Sequence, residues 1–194
     1  MNLNVKEIFY SLQGEGGRQG EASIFIRLTG CNLKCNFCDT DFKDGTDMEV
    51  EEITAFIGQF PCRWIVWTGG EPTLQLTEEI LQLFKNKGYS QAIESNGHYP
   101  LPSLLDYTVV SPKGKIEYAK DVNRTVSEIR LPVIKGDAIP SVECLPKAEH
   151  YFLSPVFTEE AVSTQDNINY CVEQIKQNPQ WRLSLQIHKL IGIE

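Results

Sequence analysis

Gly30-Cys31-Asn32-Leu33-Lys34-Cys35-Asn36-Phe37-Cys38-Asp39-Thr40-Asp41-Phe42 stands directly behind an apolar, strand-like run, Ile24-Phe25-Ile26-Arg27-Leu28. Thiolates are soft ligands that suit iron–sulfur clusters and zinc. Three of them spaced C-x3-C-x2-C on one loop can hold three irons of a [4Fe–4S] cube and leave the fourth iron open to a substrate or cofactor. The competing reading of the same residues is a zinc loop. Structural zinc asks for a fourth Cys or His, and His98, His150 and His188 are all remote in sequence.

Moving outward, the same order recurs: an apolar run, then a polar or glycine-bearing motif. Trp64-Ile65-Val66-Trp67-Thr68 runs into Gly69-Gly70-Glu71-Pro72. Gln91-Ala92-Ile93-Glu94-Ser95 ends in Asn96-Gly97, Tyr107-Thr108-Val109-Val110 in Ser111-Pro112-Lys113, and Tyr151-Phe152-Leu153 in Ser154-Pro155. Further strands are predicted over 5–12, 128–131 and 181–186. Apolar spacing predicts helices from 48 or 50 to 59, from a Thr77 cap to 87, and over 164–177. Alternation of this kind argues for βαβ units and a parallel sheet, whose strand C-termini carry the site. The link 98–105 is too short for a full helix and 115–124 lacks amphipathic order. The expected fold class is therefore α/β, an incomplete barrel with partly eroded helices. The glycine-rich turn Gln13-Gly14-Glu15-Gly16-Gly17-Arg18-Gln19-Gly20 would either bring backbone close to a ligand or form a flexible surface loop.

Composition narrows the function classes. At 194 residues the chain suits one domain with a real core. Its net charge of −8 and lack of a basic run disfavour duplex nucleic acid as a partner. No stretch approaches the roughly 20 apolar residues of a membrane span. The first residues lack the basic and apolar regions of a secretory signal, so the expected location is cytoplasmic. The clustered cysteines read as metal-binding rather than bridged. Cys62, Cys144 and Cys171 are expected to be buried small apolar residues, with one of them as a distant fourth ligand the alternative.

A C-x3-C-x2-C loop with Phe37 before its last cysteine, followed one strand later by Gly-Gly-Glu-Pro, resembles the radical S-adenosylmethionine (SAM) enzymes. The resemblance implies a [4Fe–4S] cluster whose open iron is chelated by the methionine end of SAM. One electron then cleaves SAM to a 5′-deoxyadenosyl radical that abstracts hydrogen. It implies SAM contacts from Phe37, Cys38, Asp39, Gly70, Glu71, Ser95, Ser111, Pro112, Lys113 and Ser154, on a (β/α)6-type radical SAM barrel. Within that group, Gln13-Gly14-Glu15-Gly16, Arg27, Cys38-Asp39-Thr40, Ser111-Pro112-Lys113 and Gln186-Ile187-His188-Lys189 are similar to the 7-carboxy-7-deazaguanine synthases. That likeness covers essentially the whole chain. The family converts 6-carboxy-5,6,7,8-tetrahydropterin to 7-carboxy-7-deazaguanine with loss of ammonia, on the route to queuosine, using the cluster, SAM and Mg²⁺.

The family resemblance implies roles for further residues. Leu12, Gln13, Gly14 and Glu15 would meet the pterin edge, and Thr68 would touch the substrate. Arg27 would pair with the substrate carboxylate, which its fork of donors suits. Thr40 would give an oxygen to Mg²⁺, a hard cation. A single domain over 1–194 is expected, with the cluster loop 30–42 and the tail 187–194 near the active site. A flavodoxin- or ferredoxin-like electron donor and a homodimer are also implied. Blander roles compete: a paired structural arginine for Arg27, a turn cap for Thr40, a surface position for His188. No acid–base pair stands out, as suits chemistry in which the cofactor does the hard step. Two rivals remain at this level. A glycyl-radical-enzyme activase shares the cysteine spacing but needs a large protein partner. A non-catalytic iron–sulfur or zinc-binding protein is the other, although an electron carrier ordinarily has four cysteines.

Overall fold

Period-two alternation decides which way each strand faces. A computed structural model of the chain describes residues 1–38, 40–113 and 125–193. In it β1 (Asn2–Leu12), β2 (Ala22–Leu28), β3 (Thr46–Glu49), β4 (Trp64–Gly69), β5 (Ser90–Ser95), β6 (Tyr107–Val110), β7 (Val126–Val133), β8 (Ala148–Pro155) and β9 (Arg182–Leu183) form one sheet. Its order is β3-β1-β2-β4-β5-β6-β7-β8-β9, parallel from β2 onward, with β1 and β3 antiparallel on one flank. Ile24, Ile26, Leu28, Ile65, Trp67 and Ile93 are fully buried among the helix side chains Ile53, Ile57, Leu81 and Phe84. These come from α1 (Val50–Ile57) and α2 (Glu78–Asn86). Trp67 meets Phe84 edge-on at 5.0 Å, and its indole N–H donates to Gln91 Oε1 at 3.0 Å. The alternate residues of the same strands, Phe25, Arg27, Thr68 and Glu94, line a cavity on the other side of the sheet.

The eroded barrel is borne out. Among the described residues no α-helix joins β5 to β6, and only the 3-10 turn Val142–Cys144 lies between β7 and β8. The expectation for 115–124 falls on residues outside those described. Helix α2 starts as predicted, with Thr77 Oγ1 accepting from the Ile80 N–H at 3.3 Å. Helix α3 (Ala161–Gln177) begins three residues before the predicted 164.

Other elements depart from expectation. Of the two predicted starts for the first helix, 50 holds, while 48 falls at the end of β3, because residues 46–49 pair with Asn2 to Val5 across the chain. β7 runs through Pro132, where a strand end was expected at 131. β6 stops pairing at Val110, opposite Ile129, so past that point β7 has a flank that tolerates a residue without an N–H. The predicted strand over 181–186 shrinks to β9, and the short helix α4 (Ile187–Ile191) follows. Of the three single cysteines, Cys171 is buried and Cys62 half-buried, but Cys144 is exposed, since it ends the 3-10 turn outside the core. No helix among the described residues is long and apolar enough to cross a membrane.

Among the described residues the sheet's two ends do not pair with each other. The seam between them is bridged by the glycine-rich turn, where Gly16 N donates to Ser184 Oγ at 2.9 Å and Ile187 N donates to Gly14 O at 3.0 Å. The turn is thus packed structure. Gly16 has φ +70°, and a Cβ there would fall onto the Glu128 carboxylate and the Arg130 guanidinium. Gly17 lies so close to the Tyr107 hydroxyl that a Cβ would sit 2.5 Å from it. The backbone closely approaches Tyr107 at the start of β6 and Glu128 and Arg130 within β7, and it plugs the N-terminal end of the barrel.

Candidate active site

The cavity measures about 570 Å³ and opens at the C-terminal ends of the parallel strands. Its wall is built from opposed residues. Glu7 of β1 faces Arg27 of β2, and Phe9 faces Phe25. The phenyl rings stack at 4.8 Å, and the Arg27 Nε donates to Glu7 Oε1 at 2.6 Å. Thr68 is the parallel partner of Arg27 on β4. Glu94 lies one step beyond the Trp67–Ile93 pair on β5. A polar row therefore crosses the cavity wall from Glu7 through Arg27 and Thr68 to Glu94.

The cysteines occupy the mouth. Cys31, Cys35 and Cys38 are free thiols that line one end of the cavity, and Leu33 N donates to Cys31 Sγ at 3.4 Å. Burial pushes the thiols of Cys31 and Cys35 up, while the Lys113 ammonium, 5.6 Å from the Phe37 ring, pulls Cys35 back. Among the described residues no three His, Cys, Asp or Glu side chains converge closely enough to hold a single ion. Thiols spread around a cavity end instead fit the wider cube of a [4Fe–4S] cluster, with no fourth cysteine beside them to close it.

Gly70 joins this loop to β4. Its N–H donates to Leu28 O at 3.2 Å, and the Glu71 N–H donates to Gly30 O at 2.8 Å. A Cβ on Gly70 would land on Gly30 O and 2.9 Å from Cys31 Cβ. Gly70→Ala is therefore expected to displace the cysteine loop without unfolding the sheet. The variant should keep its far-ultraviolet circular dichroism and retain less than about a tenth of the iron and sulfide per chain after anaerobic reconstitution, since a clash with backbone has no flexible end to yield.

Glu71, expected to contact SAM, has another task. It is fully buried, and its carboxylate accepts from Thr73 N (3.1 Å), Thr73 Oγ1 (2.6 Å), Ser95 Oγ (2.9 Å) and Asn96 N (2.7 Å). It braces the turn after β4 against the turn after β5. Asn96 Nδ2 in turn donates to Asn32 Oδ1 at 2.9 Å, which holds the cysteine loop. What faces the cavity here is Gly70, Ser95 and Asn96 rather than the Glu71 carboxylate.

Below the mouth the cavity is acidic. Gln13 Nε2 donates to Glu94 Oε1 at 3.0 Å. Arg130 NH1 donates to Glu15 Oε2 at 2.8 Å and to Glu94 Oε2 at 3.1 Å, and its NH2 donates to Glu128. Burial alone would lower the Arg130 pKa, but the three carboxylates more than offset it and hold the guanidinium charged. Burial pushes the Glu94 carboxyl up to about 7; Arg130 opposes this, while Glu128 and Glu15 add to it. Burial and then the Glu128 charge raise the Tyr107 phenol too.

Most residues singled out from the sequence are brought together. Leu12, Gln13, Gly14, Glu15, Arg27, Phe37, Thr40, Thr68, Gly70, Ser95, Ser111 and Lys113 share the cavity with the cysteines. Pro112 is buried and outside the lining. Ser154 lines a small side pocket of about 80 Å³ with Phe37, Ser111 and Lys113, and its hydroxyl donates to Glu15 Oε1 at 3.1 Å. Asp39 lies outside the described residues. His188 lines the cavity and packs on Gly14, where a Cβ would strike its imidazole, so the surface reading of that residue falls. Sequence reasoning missed Glu94, Glu128 and Arg130. The available signal was charge at alternate, inward positions of otherwise apolar strands.

Comparison with known proteins adds a further line. A family model described as the Radical SAM superfamily matches residues 25–137. The 7-carboxy-7-deazaguanine synthase of Bacteroides thetaiotaomicron is 42% identical over 193 residues, with 100% of both chains covered. The protein of that name from Bordetella pertussis is 41% identical over 217 residues, again over 100% of both. Among solved structures, QueE from Escherichia coli covers 96% of this chain and 94% of its own at a TM-score of 0.71. At 24% identity that likeness speaks to the fold alone.

Proposed function

The chain belongs to the 7-carboxy-7-deazaguanine synthases of the radical SAM superfamily, and on that premise we propose that it converts 6-carboxy-5,6,7,8-tetrahydropterin to 7-carboxy-7-deazaguanine with loss of ammonia. The observation that carries this reading is the polar row across the cavity. Arg27 and Glu94 lie on strands two apart in the sheet, so at about 4.8 Å per strand their backbones stand about 10 Å apart. A cation at one end and an acidic group at the other suit a flat bicyclic ring with a carboxylate on one side and amino and N–H donors on the other.

Individual residues then divide the work. Glu7 engages the Arg27 Nε, so the substrate carboxylate falls to the two terminal nitrogens of the fork. Arg130 holds Glu15, and Gln13 holds Glu94, at the pterin edge. Phe9 and Phe25, stacked on each other beside Arg27, present an apolar wall to the ring. Cys31, Cys35 and Cys38 would hold the cluster, and Gly70, Ser95, Ser111, Lys113 and Ser154 would hold SAM above the pterin, with Phe37 beside it. When bound, cluster and SAM supply the hydrogen abstraction that starts the ring contraction. Thr40, on the same lining, would give its hydroxyl to Mg²⁺. A small flavin or iron–sulfur protein as reductant, a homodimer and a cytoplasmic location belong to the same proposal.

A single-turnover assay tests it. Anaerobically reconstituted protein given SAM, a reductant, Mg²⁺ and the carboxylated tetrahydropterin is expected to yield the deazaguanine and ammonia. Protein that cleaves SAM but leaves this pterin intact, and instead places a glycyl radical on a partner, would show the substrate to be wrong.

A further inference from the structure

Three carboxylates meet one guanidinium below the cavity mouth. Arg130 is 4% exposed and Glu128 0%. Glu15 and Glu94 keep 17% and 20% of their side chains open to the cavity, so with all four groups charged the cluster would carry a net charge of about −2 where water screens it only in part. One proton relieves it, and the hydrogen bonds say which group takes it. Glu128 accepts from Gly17 N, Tyr107 OH and Arg130 NH2. Glu15 accepts from Ser154 Oγ and takes the shorter of the two links to Arg130 NH1. Glu94 accepts from a neutral amide, Gln13, and shares that same nitrogen at 3.1 to 3.2 Å. The other charged or titratable groups on the cavity, Glu7, Arg27, the thiols of Cys31, Cys35 and Cys38, Lys113, His188 and Lys189, stand on its wall, mouth and tail side.

We propose that Glu94 binds the substrate as a neutral carboxylic acid and donates a hydrogen bond to the ring, with Arg130 as the positioning residue that aims it and Glu128 as the neighbouring charge that keeps it protonated. The proposal rests on the pterin reading above. Ionised Glu15 and neutral Glu94 offer an acceptor and a donor side by side. That pair complements a 2-amino-4-oxo pyrimidine edge, where N–H donors stand next to a carbonyl oxygen. A 2,4-diamino ring presents donors at both places and meets the Glu94 O–H head on, so Glu94 is also a specificity-determining residue. The raised acidity midpoint of this carboxyl, about 7, agrees with the charge count.

Glu94 is neutral below its midpoint and ionised above it, so kcat/KM for the pterin should be level on the acid side and fall about tenfold per pH unit above. Carboxyl carbon-13 resonances of glutamate-labelled holoenzyme, with the Glu94 signal identified by its loss in Glu94→Gln, should show one group titrating well above ordinary glutamates. Glu128→Gln removes a neighbouring charge and should move that midpoint, and the alkaline fall, to lower pH. Glu94→Gln donates without ionising, so it should lose the alkaline fall whatever its absolute rate. A Glu94 that titrates like an ordinary glutamate, or a Glu94→Gln profile that keeps the wild-type fall, would overturn the proposal. The titration is read without substrate, so failure of the wild type to turn over the pterin would count against the substrate reading and leave this test intact.

Discussion

Cys35→Ala is expected to give a folded protein with no [4Fe–4S] cluster and no detectable turnover, a loss of more than about a thousandfold. The cluster has three protein ligands in prospect, and removing one leaves two anchors for a cube that needs its corners held. The thiol is half-buried and outside the apolar core, so the stability cost should stay within about 0.5 kcal/mol, as for ordinary surface substitutions. Iron and sulfide content, visible absorbance and a thermal melt check the three parts separately. Cys144→Ala is the control, since that residue is exposed on a remote 3-10 turn and should leave all three unchanged. A Cys35→Ala protein that still carries four irons would mean that some other side chain ligates the cube.

Arg27→Ala should lower kcat/KM for the pterin by about 10² to 10³ while leaving cluster content and SAM binding as in the wild type. A charge-assisted hydrogen bond contributes about 1.5 to 3 kcal/mol, and a bidentate carboxylate pair uses two. The deletion also strands Glu7, 2.6 Å from the Arg27 Nε in the wild type, as an unpaired anion facing the substrate carboxylate. Arg27→Lys keeps the charge but not the fork, and about a tenfold loss is expected. Steady-state kinetics over a range of pterin concentration separates the effects, with the change appearing mainly in KM. Loss of the cluster in Arg27→Ala would instead make the arginine a structural partner of Glu7.

How far these residues could be found from the chain alone depends on the range of the interaction. The cysteine loop, Gly70 and the Thr77 cap are local: spacing and turn chemistry name them, and the structure puts them where local reasoning does. The convergence of strand-end motifs on one face was also legible, because a parallel sheet sends every strand's C-terminus the same way. Three things were not. β3 exists because residues 46–49 find Asn2 to Val5, a pairing that helical spacing around Met48 conceals. Glu71 looked like a ligand because its motif ends a strand, but buried donors from Thr73, Ser95 and Asn96 claim its carboxylate. Glu94, Glu128 and Arg130 read as isolated charges in separate strands, and only the register of β5, β6 and β7 makes them one cluster.

The plug formed by Gly16 and Gly17 governs traffic. With the N-terminal end of the barrel filled by that turn, and the seam tied shut from Gly14 to Ile187 and from Gly16 to Ser184, reactants approach through the doorway at the cysteines. The acidic end that suits the pterin lies further in than the thiols that suit the cluster. The turn that closes the far end therefore also sets which way the cavity faces, toward the strand C-termini and the cysteine loop.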